Sequence, residues 1–356
     1  MPEQPGKAAA TTTPVALHEQ SFVFDATIPG MGFFQEPAVE IKAVRDGGFH
    51  GASITVAQQR TNFVQAIENI RLIKRLQEKH ATRVCTSVAE LERARNDDRL
   101  GVILHFQDAK PIEDNLENLT TFYDLGVRIF QLTYNIQGWV GTGCAERHDT
   151  GLSTFGLQVV AECNRLGMLV DVSHCAWATA WDAIKHSKEP VAITHTGAHA
   201  LCAATGRNKP DEMFREIANM GGVVGVCWFS ALLKRAPNSH RVVPTSIEDV
   251  LDHLDHIVQL VGPDHVGIGS DLSNLHARTL EMPADSSLRW YRPLRPDVFG
   301  EGPVDRYDPF PQDLDTHAKA RNLTAGMVRR GYDKESIRKI LGANWLRLFK
   351  QVWRES

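Results

Sequence analysis

The stretch "LSTFGLQVVAECNRLGMLVDVSH", Leu152 to His174, carries the alternation that decides the fold. Its first part has helical spacing and stops at Gly167, a residue suited to the left-handed end of a helix. Its second part, "MLVDVSH", is short and mostly apolar, as befits a strand buried on both faces. A helix that feeds directly into such a strand is the repeating unit of a parallel α/β sheet.

Working outward from that unit, similar apolar runs recur along the chain. They are "FVFDAT" (22–27), "HGASITVA" (50–57), "GVILHFQ" (101–107), "VRIFQLT" (127–133), "PVAITH" (190–195), "GGVVGVCWF" (221–229) and "HVGIGSD" (265–271). Helical segments lie between most of them. In 63–80 the residues Val64, Ile67, Ile70, Ile73 and Leu76 are expected on one face. Segment 245–262 opens on a Ser/Thr cap with an acidic first turn and ends at Gly262. Eight strands alternating with helices spell a (β/α)8 TIM barrel. A doubly wound sheet is the alternative, but no G-x-G-x-x-G follows the first strand. "TRVCTSVAE" (82–90) is a ninth strand candidate.

One barrel domain is expected over 21–356, behind a flexible leader at 1–20. Segment 276–312, with Trp290, Tyr291 and Arg292, is Pro-, Arg- and aromatic-rich and reads as a lid-like insertion. Segment 335–353 reads as one amphipathic helix that closes over the barrel.

Hydrophobic residues make up 42% of the chain and charged residues 23%, with a formal net charge of −4. Basic residues are scattered, so neither nucleic acid nor an anionic membrane is an expected partner. No apolar run is long enough to span a bilayer. The N-terminus lacks the apolar core of a secretory signal. The six cysteines form no C-x-x-C pair and several lie in apolar runs, which suits buried free thiols in a reducing cytoplasm.

Barrel enzymes place their chemistry at the C-terminal ends of the strands. Those ends carry Asp25; His105, Gln107 and Asp108; Tyr134 and Asn135; Asp171 and His174; His195 and His199; and Asp271. Two histidines on successive strand ends, with a carboxylate on the last, form a donor set that zinc prefers in catalytic sites.

Several longer motifs carry a resemblance. They are "GLSTFGLQVVAECNRLGMLVDVSH", "PVAITHTGAHAL", "RNKPDEMFREIANMGGVVGV", "HVGIGSDL" and "LGANWLRLF". Together, over residues 22–353, the sequence resembles the membrane (renal) dipeptidases, zinc metallopeptidases of the amidohydrolase superfamily. The resemblance implies that His174 and His195 bind one metal. It implies that Asp271 handles the proton, and that Arg207, with Asn208 beside it, meets the substrate carboxylate. Family members often dimerise, so a homodimer is a further expectation.

The departures fall on the other metal. Where the family's first motif reads Asp-Gly-His-x-Asp, this chain has Asp25, Thr27 and Pro29 at the Asp, His and second Asp positions. The bridging glutamate falls on Gln107, and a substrate-contacting histidine falls on Tyr134. The reading that follows is a dipeptidase-like hydrolase with one Zn²⁺ on His174 and His195 and either Gln107 or Asp271 as third ligand. Its substrate is small and carboxylated, a dipeptide among the candidates. Tyr134 and Asp25 are further candidate catalytic groups, and Tyr134 and His105 candidate substrate contacts. Two other readings stand beside it: a lyase, decarboxylase, isomerase or C–N-cleaving tailoring enzyme on the same barrel, and an inactive homologue.

Overall fold

Each apolar run becomes a strand, and nearly every segment between two runs becomes a helix. The computed structural model describes residues 13–204, 206–275, 291–301 and 309–354. The strands are β1 (Phe24–Ile28), β2 (Gly51–Ala57), β3 (Thr82–Val84), β4 (Leu100–Phe106), β5 (Val127–Gln131), β6 (Leu169–Asp171), β7 (Ile193–Thr196), β8 (Val224–Val226) and β9 (Val266–Ile268). All pair in parallel, as strands joined by helical crossovers must.

Hydrogen bonds run β1–β2–β4–β5–β6 and β7–β8–β9. Two seams close the circle. At one, Ala192 N donates to Val170 O at 2.9 Å and Val172 N to Ala192 O at 3.0 Å. At the other, Asp271 N donates to Thr27 O at 3.1 Å. Eight strands thus form the expected (β/α)8 barrel. The ninth candidate splits in two: β3 pairs with the start of β4, ahead of β5, and Val88–Asn96 is a helix capped by Ser87. Gly225 and Gly269 let the β7–β9 wall close up, since a Cβ at either would overlap the Thr194 carbonyl.

The helices start and stop on local chemistry. Ser153 caps Thr154–Leu166, and Gly167 ends it at φ 77°. Ser246 and Asp249 form a reciprocal cap on Ile247–Val261. Phe63–Lys79 is capped by Asn62 and Gln65, but Val64 is 61% exposed, contrary to expectation. A stride of three residues falls about 60° short of a helical turn, so four such steps wrap round the helix and the first residue lands outside.

Two further expectations change. Residues 14–20 of the supposed flexible leader form a docked helix with Leu17 and His18 buried. His18 bonds through its two ring nitrogens to Thr324 Oγ1 at 2.7 Å and Gly47 O at 2.8 Å. The C-terminal helix is also broken: Lys334–Arg338 and Asn344–Val352 flank a wide turn at 339–343. Gly342 leaves helical geometry there, packed against the Phe22 carbonyl where a Cβ would clash. The second piece plugs the N-terminal end of the barrel. Trp345 Nε1 donates to Ile268 O at 3.1 Å, and Phe349 packs edge-on to Phe24 at 5.2 Å. Trp345, Leu348 and Phe349 share one cluster with Ile103, Ile129 and Leu169 from inside the barrel. Truncating such an aromatic anchor to alanine costs about 3–5 kcal/mol.

Most of the lid-like insertion, including Trp290, and residues 1–12 of the leader lie outside the described residues. Among the described residues, no helix is long and apolar enough to cross a membrane. All six cysteines are buried and free.

Candidate active site

With the N-terminal end plugged, polar groups collect toward the other end, and one carboxylate organises them. Asp171, buried at the end of β6, accepts from Ser173 N (3.0 Å), Ser173 Oγ (2.5 Å) and Thr194 N (3.0 Å) on Oδ1. Its Oδ2 accepts from Thr194 Oγ1 at 2.6 Å. Burial alone would raise its pKa, but His105, His195 and the Ser173 hydroxyl hold it well below the usual carboxylate range. Ser173 precedes His174 and Thr194 precedes His195, so a single anion sets both histidine-bearing strand ends.

The hydrogen bonds also fix the tautomers. Thr194 gives its proton to Asp171 and Thr27 gives its proton to Ala26 O, so both hydroxyl oxygens can only accept. They lie 2.8 Å and 3.2 Å from His195 Nδ1, which therefore carries the hydrogen. His174 Nδ1 lies 2.9 Å from Asn135 Oδ1, an acceptor, and carries a hydrogen too. Burial, reinforced by the charge of Arg207, pushes both imidazoles well below their ordinary pKa. Two neutral rings therefore turn unprotonated Nε2 atoms toward each other, 3.0 Å apart, with Arg207 Nη2 3.4 Å from that of His174.

Bare lone pairs at that separation repel unless a positive centre lies between them. Two nitrogens bound tetrahedrally to zinc at about 2.0–2.1 Å stand roughly 3.3 Å apart, close to what is seen. Asp271 Oδ2 stands 4.0 Å from His195 Nε2. No three His, Cys, Asp or Glu side chains among the described residues sit at full ligand spacing. The imidazole pair thus offers donors that suit one cation. They do not fit a second one: Thr27 is turned to Ala26 and His195, and Gln107 is a neutral amide.

The remaining groups surround this pair. Arg207 Nη1 donates to His195 O at 2.9 Å and Ser173 O at 3.3 Å, while Nη2 reaches His174 Nε2 at 3.4 Å. Asp271 occupies the left-handed region at φ 55°, an uncommon placement for a residue other than glycine. Burial pushes its carboxyl up to about 7, against the pull of Arg207. Tyr134 stacks on the His174 ring at 4.1 Å, and burial raises its hydroxyl well above the ordinary range. Lys209, unremarked in the sequence, is fully buried. Its ammonium donates to Cys175 O and to Gly206 O, pinning the turn just after His174, and burial lowers its pKa to about 8. Its position two residues after Arg207 was the only signal of it.

Other candidates lie elsewhere or are already engaged. Asp25 is no free acid/base. Its Oδ1 accepts from Thr27 N (3.1 Å) and Ser270 N (2.9 Å), and its Oδ2 accepts from Ser270 Oγ and from His317 Nε2 (3.1 Å). Asn208 is no substrate contact, since its amide donates to Cys202 O and Leu232 O at 2.8 Å each and accepts from Gly197 N. His105 is buried with Nε2 3.3 Å from Asp171 Oδ2, unaligned for a hydrogen bond. Gln107 is buried, and its side-chain nitrogen makes no hydrogen bond among the described residues. His199 packs edge-on against Trp177, away from the pair. A cavity of about 580 Å³ near the barrel's N-terminal end, lined by Arg45, Lys79 and Arg95 among others, contains none of these groups.

The sequence matches the membrane dipeptidase family, peptidase family M19, over residues 12–288 and 300–355. The chain belongs to that family. A relative from Klebsiella pneumoniae, an uncharacterized protein in the pqqA 5′ region, is 31% identical over 279 residues, covering 77% of this chain and 90% of that protein. An amidohydrolase from Pseudomonas aeruginosa has a TM-score of 0.82 at 30% identity, covering 96% of this chain and 100% of that one. A metallopeptidase from Rhodobacter sphaeroides, liganded with a phosphinate mimic of L-Ala-D-Ala, has a TM-score of 0.74 at 23% identity, covering 94% of this chain and 100% of that one. As a member of this metallopeptidase family the chain is a dipeptidase-like hydrolase. These relatives lend no support to the lyase, decarboxylase or isomerase readings.

Proposed function

We propose that this membrane dipeptidase family member hydrolyses an amide bond in a small carboxylated compound, a dipeptide among them, with a single zinc ion on His174 and His195. The carrying observation is the pair of bare Nε2 atoms 3.0 Å apart, each opposed by a fixed Nδ1–H partner. When bound, zinc would supply Lewis acidity and make a coordinated water acidic near neutral pH.

The protein's own groups do the rest. Asp271, with a carboxyl near 7, takes a proton from the attacking water and returns it to the leaving amine. Arg207 keeps its Nε hydrogen and one on Nη2 for the substrate carboxylate after fixing the His174 and His195 loops and reaching His174 Nε2. Tyr134 stays protonated and offers its hydroxyl to the oxygen that gains charge at the scissile carbon. The Arg207 charge also opposes a cation beside His174, so an anionic substrate that neutralises Arg207 favours both.

Metal analysis of protein purified without chelator or added metal tests the proposal, together with hydrolysis of a dipeptide panel that includes L-Ala-D-Ala. About one equivalent of zinc and amide cleavage are expected. Two equivalents would overturn the single-ion site, and a protein that binds zinc but cleaves no member of the panel would overturn the peptidase reading.

A further inference from the structure

The inner wall formed by β2, β4 and β5 holds a concentration of unsatisfied polar atoms. Thr55 Oγ1, both ring nitrogens of His105, Gln107 Nε2 and Gln131 Oε1 have no hydrogen-bond partner among the described residues. Thr55 is 5% exposed, Gln107 2%, and His105 and Gln131 0%. An unmade hydrogen bond at a buried atom is costly, and native proteins seldom leave several side by side.

These atoms share one face. Thr55 and His105 are register partners on neighbouring strands. His105 points into the barrel, since its ring lies 3.3 Å from Asp171 Oδ2 two strands away. Gln107 N continues the ladder to Ala57 O at 2.8 Å, so alternation returns its side chain to the His105 face. Gln131 donates its amide to Gln107 O and to Thr133 O, which leaves Oε1 as the open end.

The chemistry of the wall selects its occupant. Gln107 offers N–H donors, Gln131 offers an acceptor, and Thr55 and His105 can serve as either. Asp171 spends Oδ1 on Ser173 and Thr194 and one bond of Oδ2 on Thr194, with Oδ2 3.3 Å from the His105 ring. An amide carries one acceptor and one donor side by side, which matches the donors of Gln107 and the acceptor of Gln131.

We infer that this wall seats an uncharged amide of the substrate, with Gln107 donating to its carbonyl oxygen and Gln131 accepting from its N–H. The inference rests on the hydrolase reading and adds to it Gln107 and Gln131 as the residues that position the amide of the carboxylated substrate.

Titration calorimetry on the full-length protein tests it, with N-acetylglycine and propionate as probes. Both carry a carboxylate and only the first carries an amide. N-acetylglycine should bind about tenfold more tightly, the scale of one good buried hydrogen bond. Gln107→Met should abolish that preference while leaving propionate affinity unchanged, which also shows that the variant is folded. Gln107→Glu keeps the shape but turns an acceptor toward the carbonyl, and should lose the preference too. Equal affinities in the wild type, or no measurable N-acetylglycine binding, would assign the wall to ordered water and overturn the inference. So would a preference that survives both substitutions, or a Gln107→Glu variant that takes up a second zinc and keeps its preference. A wild type that holds one zinc and cleaves amides yet shows no preference sinks this inference and leaves the hydrolase reading standing.

Discussion

Two sides of the same barrel mouth use the same parts to opposite ends. At β6–β7, a buried carboxylate, hydroxyls and imidazoles leave two lone pairs open. At β1–β9, a buried carboxylate, hydroxyls and an imidazole leave none. The difference is the route by which the carboxylate meets the ring. Asp171 reaches His195 through Thr194, so the bond falls on Nδ1 and Nε2 stays bare. Asp25 meets His317 Nε2 directly at 3.1 Å, while His317 Nδ1 accepts from Asn274 Nδ2 at 2.9 Å. Both nitrogens of His317 are spent. The β6–β7 side is built to hold something, and the β1–β9 side is built to tie the barrel seam.

That contrast can be broken from either side. The largest effect is expected at Asp271. An Asn there cannot take up the proton, and kcat should fall by roughly 10²–10⁴-fold, the usual worth of a general acid/base. Zinc stoichiometry and the melting temperature should stay within reach of the wild type. A fall below tenfold would remove Asp271 from the proton path.

Asp171→Asn comes next. It attacks the open side through its organiser, and outer partners of metal-binding histidines typically contribute 10–100-fold in affinity. Competition with a chelating dye should show zinc binding weakened by about that much. Unchanged affinity would mean that His174 and His195 orient themselves.

Asp25→Asn sharpens the contrast from the other side. It turns an amide donor toward Ser270 and His317, and the folded state should lose about 1–3 kcal/mol, read by denaturant titration. Activity per folded molecule should change by less than a few-fold. A large loss of kcat with no loss of stability would place Asp25 in the chemistry after all.

A further effect is a pH slope. The Asp271 carboxyl sits near 7 in the folded protein and near 3.9 in the unfolded chain, so between these values the metal-free fold holds the extra proton. Its contribution to stability is complete below about pH 4 and is lost as pH rises through about 7. Denaturation of metal-free protein at about pH 5 and about pH 8 should show the loss, and Asp271→Asn should flatten that part of the profile. A wild-type slope in the variant would assign the effect to another group.

Much of this could be read along the chain. The strand runs, Gly167, the Ser246 cap and the strand-end positions of His174, His195 and Asp271 follow from local periodicity and turn chemistry. The misreadings share a cause. Val64, the unbroken C-terminal helix and the flexible leader were inferred from pattern within one segment; the helical turn itself carries Val64 outside, and contacts made elsewhere overrule the other two. Asp25 and Asn208 looked reactive because their acceptors and donors had no visible partners in sequence.

The sequence by itself determined a parallel barrel and two imidazoles on adjacent strand ends. Those are properties of spacing and residue type. Only the tertiary structure decided which nitrogens stay bare, which carboxylates are spent and which polar atoms on the inner wall lack partners. Hydrogen bonds decide such questions, and here they span most of the chain. Asp25 is saturated by Ser270 and His317, 245 and 292 residues away, and no local pattern carries that information.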